Sequence, residues 1–388
     1  MKIVFVTEIN PFPPLGGESI RVSNLLKALQ SFASVHLVIL SEQGAKKNHT
    51  RQTQDNSPVE SITYIDKKKT LSSGLIERLR PSREVLDQLR EIGKKLQPDI
   101  VWLEYAYIAH YSLAFPGVKV VFDTHNIQSK IDRQIAILPT SNLLKKIYSN
   151  LVWKASEYHE TKYLPTCNAV ITVSNEDLEY YKGFVEASKL WIIPNLIDLC
   201  IYPSQEYTKK KQTINVVFTG SMDAFQNQRA GDYLLEKIWP KIADAIPTCE
   251  LFIVGKNPPK RWLETSISRV CVTGKVVSTI PYLEAATAAI VPIIDGSGTR
   301  YKIIEAMACS LPVVSTSLGC QGLDVHNGVD ILIEDEVDMF VKKTIELLKS
   351  PQLQASIAAK AYKIVQHKYS IEANRTKLYN LCSMLVST

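Results

Sequence analysis

Between Asp295 and Ala308 the chain reads DGSGTRYKIIEAMA, and these residue types in this order suit a phosphate ester. Gly296-Ser297-Gly298-Thr299 can present successive backbone N–H groups and hydroxyls to an anion, while Arg300 and Lys302 add positive charge where a helix begins. A diphosphate fits that chemistry. Glu305, one turn further on, is an acid placed to accept hydrogen bonds from sugar hydroxyls while its neighbours hold phosphate. The competing reading is a capped helix with an exposed Arg and Lys.

Two other loops carry chemistry of the same kind. EINPFPPLGGESIRVSNLL follows the first apolar run, and Gly16-Gly17, lacking Cβ atoms, let backbone N–H groups approach an anion at a helix start. A plain helix start with Glu18 near the dipole is the alternative. No G-x-G-x-x-G spacing occurs anywhere, so a dinucleotide fingerprint is absent. FDTHN (122–126) sets His125 directly after a buried strand, where its side chain faces a ligand crevice. Asp123 and Asn126 could instead cap the following helix, with His125 a satisfied surface group.

The elements that position these loops are short β-branched runs alternating with longer amphipathic stretches, the pattern of parallel strands covered by crossover helices. The first half supplies KIVFVT (2–7), VHLVIL (35–40), ITYI (62–65), DIVWLE (99–104), KVVFDT (119–124), AVITVS (169–174) and LWIIP (190–194). A lysine-rich piece without periodicity, YPSQEYTKKKQT, reads as a linker. A second winding follows with NVVFTG (215–220), CELFIV (249–254), VCVTG (270–274), AAIVPI (288–293), PVVST (312–316) and DILIE (330–334). Two doubly wound sheets place ligands at the carboxyl ends of strands and a cleft between the halves.

The 388-residue length suits two such domains. Lys and Arg number 45 against 39 Asp and Glu, for a net +6, too mild for a dedicated nucleic-acid binder. Basic side chains gather in Ser41–Lys95, with Lys67, Lys68, Lys69, Arg78, Arg80 and Arg83, and read as a solvated face before a membrane or acceptor patch. The seven cysteines are scattered, with no Cys-x-x-Cys, which points to a reducing compartment rather than disulfides or zinc. No run of 18 apolar residues exists, so a soluble or at most peripheral protein is expected. LLKKIY, with Leu151, Val152 and Trp153 after it, reads as core packing, with an amphipathic membrane contact or acceptor wall as alternatives.

Over nearly its whole length the sequence resembles glycosyltransferase family 4, and within it a bacterial subgroup linked to exopolysaccharide assembly. The resemblance rests on PPLGG, FDTHN, the VSNED segment after Val173, IIPNLID (192–198), NVVFTGSMDAFQNQ, TGKV at Gly274 and GSGTRYKIIEAMACSLPVVST, taken in order. It implies an α/β GT-B fold of two facing Rossmann-like doubly wound domains. These are residues 1–198 on the acceptor side and 199–369 binding the nucleotide sugar, with a final helix in 370–388 docking back on the first. It also implies sugar transfer from a nucleotide diphosphate donor with retention of configuration and no metal or other cofactor.

Carried residue by residue, the resemblance sets Gly16 and Gly17 near the donor phosphates and His125 near the reacting sugar. Glu305 is on the ribose, and Lys275 and Val276 meet the base through backbone groups. Gly220, Ser221, Ser297, Gly298 and Thr299 complete the donor-binding set, with His125, Arg300 and Lys302 as the catalytic ones. Two departures stand out. Counting back eight places from Glu305, where the family has its other acid, gives Ser297. After Gly220, where the family has an Arg and several residues later a Lys, this chain has Ser221 and then Gln226, Asn227 and Arg229, so Arg300 and Lys302 are expected to take the phosphate role.

The expected function is therefore a cytoplasmic, metal-independent retaining transferase that uses a UDP- or GDP-sugar and a glycan or lipid-linked acceptor. Contact with the inner membrane face is part of this reading. Because His125 and Glu305 fall in different halves, domain closure is expected to assemble the site. A catalytically silent nucleotide-sugar or glycan binding protein is the rival, motivated by Ser297. An NAD-dependent oxidoreductase is disfavoured by the missing glycine fingerprint.

Overall fold

The computed structural model describes residues 1–14, 16–41, 50–52, 58–67, 73–104, 107–138, 142–202, 213–264, 267–296 and 300–387. The chain divides into two compact units, Met1–Leu196 with Asn374–Thr388, and Ile197–Ala373.

The first unit contains β1 (Lys2–Thr7), α1 (Gly17–Gln30), β2 (Ser34–Ser41), β3 (Thr50–Gln52), β4 (Ser61–Asp66), α2 (Ser73–Leu79), α3 (Arg83–Leu96) and β5 (Ile100–Glu104). It continues through β6 (Lys119–Asp123), α4 (Gln128–Ile137), α5 (Leu143–Tyr163), β7 (Ala169–Thr172), α6 (Asn175–Tyr181) and β8 (Leu190–Ile192). The strand order is β3-β4-β2-β1-β5-β6-β7-β8, parallel except for the β3–β4 edge pair. Helices cover both faces of the central strands, so β1 and β5 are apolar on successive residues rather than alternate ones, and nearly every one is buried. Phe5 and Trp102 stack at 6.0 Å between these neighbours. The sequence expected every strand here but β3, which pairs only with the edge.

The second unit runs β9 (Asn215–Thr219), α7 (Phe225–Tyr233), a π-helical turn (Leu234–Ile238), α8 (Trp239–Ala245), β10 (Glu250–Val254), α9 (Lys260–Leu263), β11 (Val270–Val272) and α10 (Ile280–Ala285). Then come β12 (Ala288–Val291), α11 (Tyr301–Ala308), β13 (Val313–Ser315), β14 (Leu332–Ile333), α12 (Val337–Lys349), α13 (Pro351–Ile364) and a second π turn (Val365–Tyr369). The strand order is β11-β10-β9-β12-β13-β14, all parallel. Helix α14 (Ile371–Ser387) begins at the end of this unit, and from Asn374 onward it belongs to the first.

Capping explains several helix starts. Asn142 accepts the Lys145 N–H at 3.0 Å to open α5, Ser174 of the VSNED segment opens α6, and Ser350 opens α13 just before Pro351.

Two sequence expectations are corrected. Leu143, Leu144, Ile147, Tyr148 and Leu151 are exposed, so LLKKIY is not core packing; the helical pattern was right, but its apolar arc lies on turns that run past the body of the unit. Nor is the basic stretch simply a solvated face. Lys67 is buried against Glu8, and the Arg78 guanidinium lies 3.7 Å from the Tyr107 ring centroid and donates to Ser156 Oγ. Arg80 and Arg83 are exposed, and Lys68 and Lys69 lie outside the described residues.

Candidate functional site

In an open parallel sheet the crevice opens where neighbouring strands send their connections to opposite sides. In the second unit that point lies between β9 and β12, because the chain leaves β9 for β10 on one side and leaves β12 for β13 on the other. Gly220 and Ser221 follow β9, and the Asp295–Arg300 loop follows β12.

Lys302 reaches this point from the first turn of α11. Its ammonium donates to Asn227 Oδ1 at 2.6 Å and stands 4.5 Å from the Phe218 ring centroid. Asn227 in turn donates to the Ser221 carbonyl at 2.7 Å, tying the loop after β9 to α7. A Cβ at Gly220 would stand 2.9 Å from both Lys302 Nζ and Asn227 Nδ2, so the glycine leaves room for these two side-chain ends as they lie. Arg300 is 8% exposed, and among the described residues its Nε and Nη2 have no hydrogen-bond partner.

Burial is the first cause of the electrostatics. It pulls Arg300 down to about 10, and it pulls Lys302 to about 7 with help from the neighbouring Arg300 charge. Burial also pushes Glu305 up to about 7, against the pull of Tyr202, Lys302 and Thr279. Tyr202 donates its phenol to Glu305 Oε1 at 3.2 Å. Two buried cations side by side, with the nearby acid engaged by a tyrosine, favour an anionic ligand with several oxygens.

The other residues expected on the donor side sit along the same carboxyl edge. Lys275 is exposed and Val276 half-buried, both in the loop after β11 that ends at Thr279, and the Thr279 side chain hydrogen-bonds Glu305. Ser221 Oγ donates to Asp223 at 2.9 Å. Ser297, Gly298 and Thr299 lie outside the described residues.

The first unit has its own crossing point, between β1 and β5, where Thr7 and Glu104 are register partners. Thr7 Oγ donates to Glu104 Oε2 at 2.6 Å, and the other Glu104 oxygen pairs with His125 Nε2. Burial alone would lower the imidazole; the charge and hydrogen bond of Glu104 outweigh it and hold His125 above its ordinary value. Beside it, the buried Arg21 and Asp123 pair through Nη2 at 2.6 Å and Nε at 3.2 Å. Arg21 also donates to the Pro194 carbonyl at 2.9 Å and the Ile193 carbonyl at 3.2 Å, and Asn24 donates to the Leu196 carbonyl at 2.7 Å.

Gly16 and Gly17 are exposed at the head of the helix that carries Arg21. Gly16 has φ of 105°, a conformation glycine alone adopts without strain, and open space where a Cβ would project. Glu104, Asp123 and His125 bring potential metal-ligand atoms within 4.8 Å of one another. Arg21 already holds Asp123, and Thr7 and His125 hold Glu104, so this cluster is a hydrogen-bonded orienting network for His125.

Sequence reasoning named His125, Arg300, Lys302 and Glu305 but did not foresee Arg21, Glu104, Tyr202 and Asn227 as the residues packed and hydrogen-bonded around them. Glu104 carried a signal: it is an acid ending an otherwise apolar buried strand, at the edge where ligands bind.

The chain is 22% identical over 387 residues to an uncharacterized 44.6 kDa protein in the cps region of Klebsiella pneumoniae, covering 95% of this chain and 96% of that one. Among solved structures it resembles sucrose-phosphate synthase from Thermosynechococcus elongatus, with TM-score 0.76, 16% identity, and coverage of 100% of this chain and 99% of that one. It also resembles Anabaena HepE in complex with UDP-glucose, with TM-score 0.70, 14% identity, and coverage of 99% and 100%. TarM matches with TM-score 0.70 at 13% identity, covering 98% of each chain. Residues 15–200 match the model for Glycosyltransferase Family 4 and residues 213–350 that for Glycosyl transferases group 1, together most of the sequence. The chain belongs to these family 4, group 1 glycosyltransferases, and its two Rossmann-like units are those of the GT-B fold.

Proposed function

We propose that this glycosyltransferase takes its sugar from a UDP- or GDP-linked donor and passes it, with retention of configuration and without a metal, to a glycan or lipid-linked acceptor in polysaccharide biosynthesis. One observation carries the reading: Arg300 and Lys302 are buried together where β9 and β12 diverge, and Arg300 has nitrogens with no partner among the described residues. When the sugar–phosphate bond breaks, negative charge builds on the departing diphosphate, and two fixed cations in a dry site stabilise it. That supplies from side chains the charge a divalent ion would otherwise provide.

Glu305, steadied by Tyr202, receives the ribose hydroxyls, and the loop with Lys275 and Val276 meets the base through its backbone. Gly16 and Gly17 approach phosphate at the head of α1. His125, kept in one orientation by Glu104, donates a hydrogen bond to the transferred sugar. The UDP-glucose bound by the HepE structure and the cps setting of the Klebsiella relative support the donor class and the biosynthetic context.

A thermal-shift panel of UDP, GDP, their sugar conjugates and the free nucleosides tests this on the native chain and on Arg300→Leu. A ligand at about a hundred times its dissociation constant adds about 2.7 kcal/mol, a rise of a few degrees. One diphosphate series should stabilise the native chain in the presence of EDTA, with the gain lost in Arg300→Leu and the nucleoside response unchanged. Equal losses for diphosphate and nucleoside would remove the phosphate role. Donor binding without transfer of the sugar to any acceptor, and without the accompanying release of nucleotide diphosphate, would identify a silent binding protein, the alternative suggested by Ser297.

A further inference from the structure

Helices α4 and α5 form a hairpin whose far end is apolar and exposed. Ile135, Ile137 and Leu138 close α4, and Leu143, Leu144, Ile147, Tyr148 and Leu151 open α5; Ile137, Leu143 and Leu144 are 71%, 69% and 78% exposed. At helical spacing the five α5 side chains share one arc, while Lys145, Lys146, Ser149 and Asn150 occupy the opposite one.

The hairpin's register fixes where this end lies. The Ser129 N–H donates to Glu160 at 3.0 Å, and Ser156 donates to Asp132 at 2.6 Å, so the start of α4 packs beside the last turns of α5. Helix α4 leaves the carboxyl end of β6 just after His125, and α5 must return to the amino end of β7 through residues 164–168. The apolar tip therefore stands beyond the carboxyl edge of the first unit's sheet, the edge that carries His125.

A contiguous exposed apolar surface marks an interaction site, and the surrounding charge selects its occupant. Lys130, Arg133, Lys145, Lys146 and Lys154 accompany it, while the hairpin's one acid before Glu157 is Asp132, which is buried and hydrogen-bonded by Ser156. Trp153 lies between Arg133, 5.3 Å from its ring centroid, and Lys154, at 4.2 Å. A second copy meeting this surface carries the same excess of positive charge and so offers these cations no complement. Aliphatic side chains at the tip, Tyr148 and Trp153 on the shoulder and lysines around them are the composition of a helix lying in a bilayer interface.

We propose that the α4–α5 tip seats the protein on an anionic lipid surface, the apolar arc entering the interface and the lysines meeting phosphate headgroups. The proposal rests on the surface chemistry alone and holds whichever donor the enzyme uses.

Co-sedimentation of the full chain with phosphatidylcholine vesicles, with and without phosphatidylglycerol, tests it. Binding should require phosphatidylglycerol and weaken with salt. Lys145→Glu/Lys146→Glu and Leu144→Ser/Ile147→Ser should each reduce partition on the order of tenfold or more. Thermal midpoints and the response to nucleotide diphosphates should match the native chain, which separates this proposal from the donor-site reading. Equal binding of both variants and the native chain would overturn it. So would self-association by sedimentation velocity that both variants abolish, with no vesicle binding, since the tip would then belong to a second copy.

Discussion

One turn of α11 separates Lys302 from Glu305, and burial acts on both in opposite senses, pulling the ammonium down to about 7 and pushing the carboxyl up to about 7. Binding near neutrality is therefore linked to protons. A nucleotide sugar's diphosphate carries no proton that titrates in this interval, so any pH dependence of its affinity comes from the protein. Diphosphate binding favours the charged lysine, so affinity is full below about 7 and falls above it, by at most about tenfold per pH unit for one proton taken up. Glu305 ionises over the same interval and opposes the trend, because its carboxylate is the better acceptor for ribose hydroxyls. The charge-assisted contact to phosphate is the stronger of the two. Calorimetric titration across this range should show weakening affinity in the native chain, a steeper fall in Glu305→Gln, and, in Lys302→Met, weak binding that no longer falls but rises with pH as Glu305 ionises. A native affinity that rises with pH would contradict the assignment. At this scale the sequence made legible the residues whose type and place after a strand declare a task. It did not show their partners, because Thr7 and Glu104, 97 residues apart, and Tyr202 and Glu305, 103 apart, meet only through the fold.

Among the elements, α1 does more than present Gly16 and Gly17. Arg21 and Asn24 on its inner face bind β6 through Asp123 and the 193–196 segment through its carbonyls, so one helix fixes both the loop after β1 and the exit from the first unit. Removing one partner of a fully buried ion pair leaves an uncompensated charge, at a cost of about 3–5 kcal/mol. Arg21→Met should lower urea stability by that order. Arg21→Lys should recover little, because an ammonium cannot span both Asp123 oxygens and the backbone carbonyls together. Arg21→Met/Asp123→Leu should be milder than the single change; a double variant as unstable as the two singles summed would show that the pair is not coupled. Strands and crossover helices were legible because burial on both faces forces apolar runs. What escaped was set by tertiary context: β3 exists only as an edge partner, and in LLKKIY periodicity marks an apolar arc without saying what covers it.

The whole chain passes between its units twice, at Leu196–Ile197 and again at Ala373–Asn374, so the first unit is completed only when the last residues are present. In α14, Leu378, Leu381, Cys382 and Leu385 are buried, and Tyr379 meets Phe32 edge-on at 5.5 Å. Three buried leucines at about 1.5–3 kcal/mol each, with the cysteine added, approach the 5–15 kcal/mol that holds a typical domain together. Truncation after Ala373 should then leave the first unit unfolded or molten, while the second keeps its sheet, its apolar core and the Arg300–Lys302 site intact. The truncated chain should retain nucleotide diphosphate binding by calorimetry and lose turnover and the first unit's cooperative melting transition. Loss of diphosphate binding together with turnover would mean that the donor site depends on the first unit. An unchanged melting curve would mean that α14 contributes little to the core it covers.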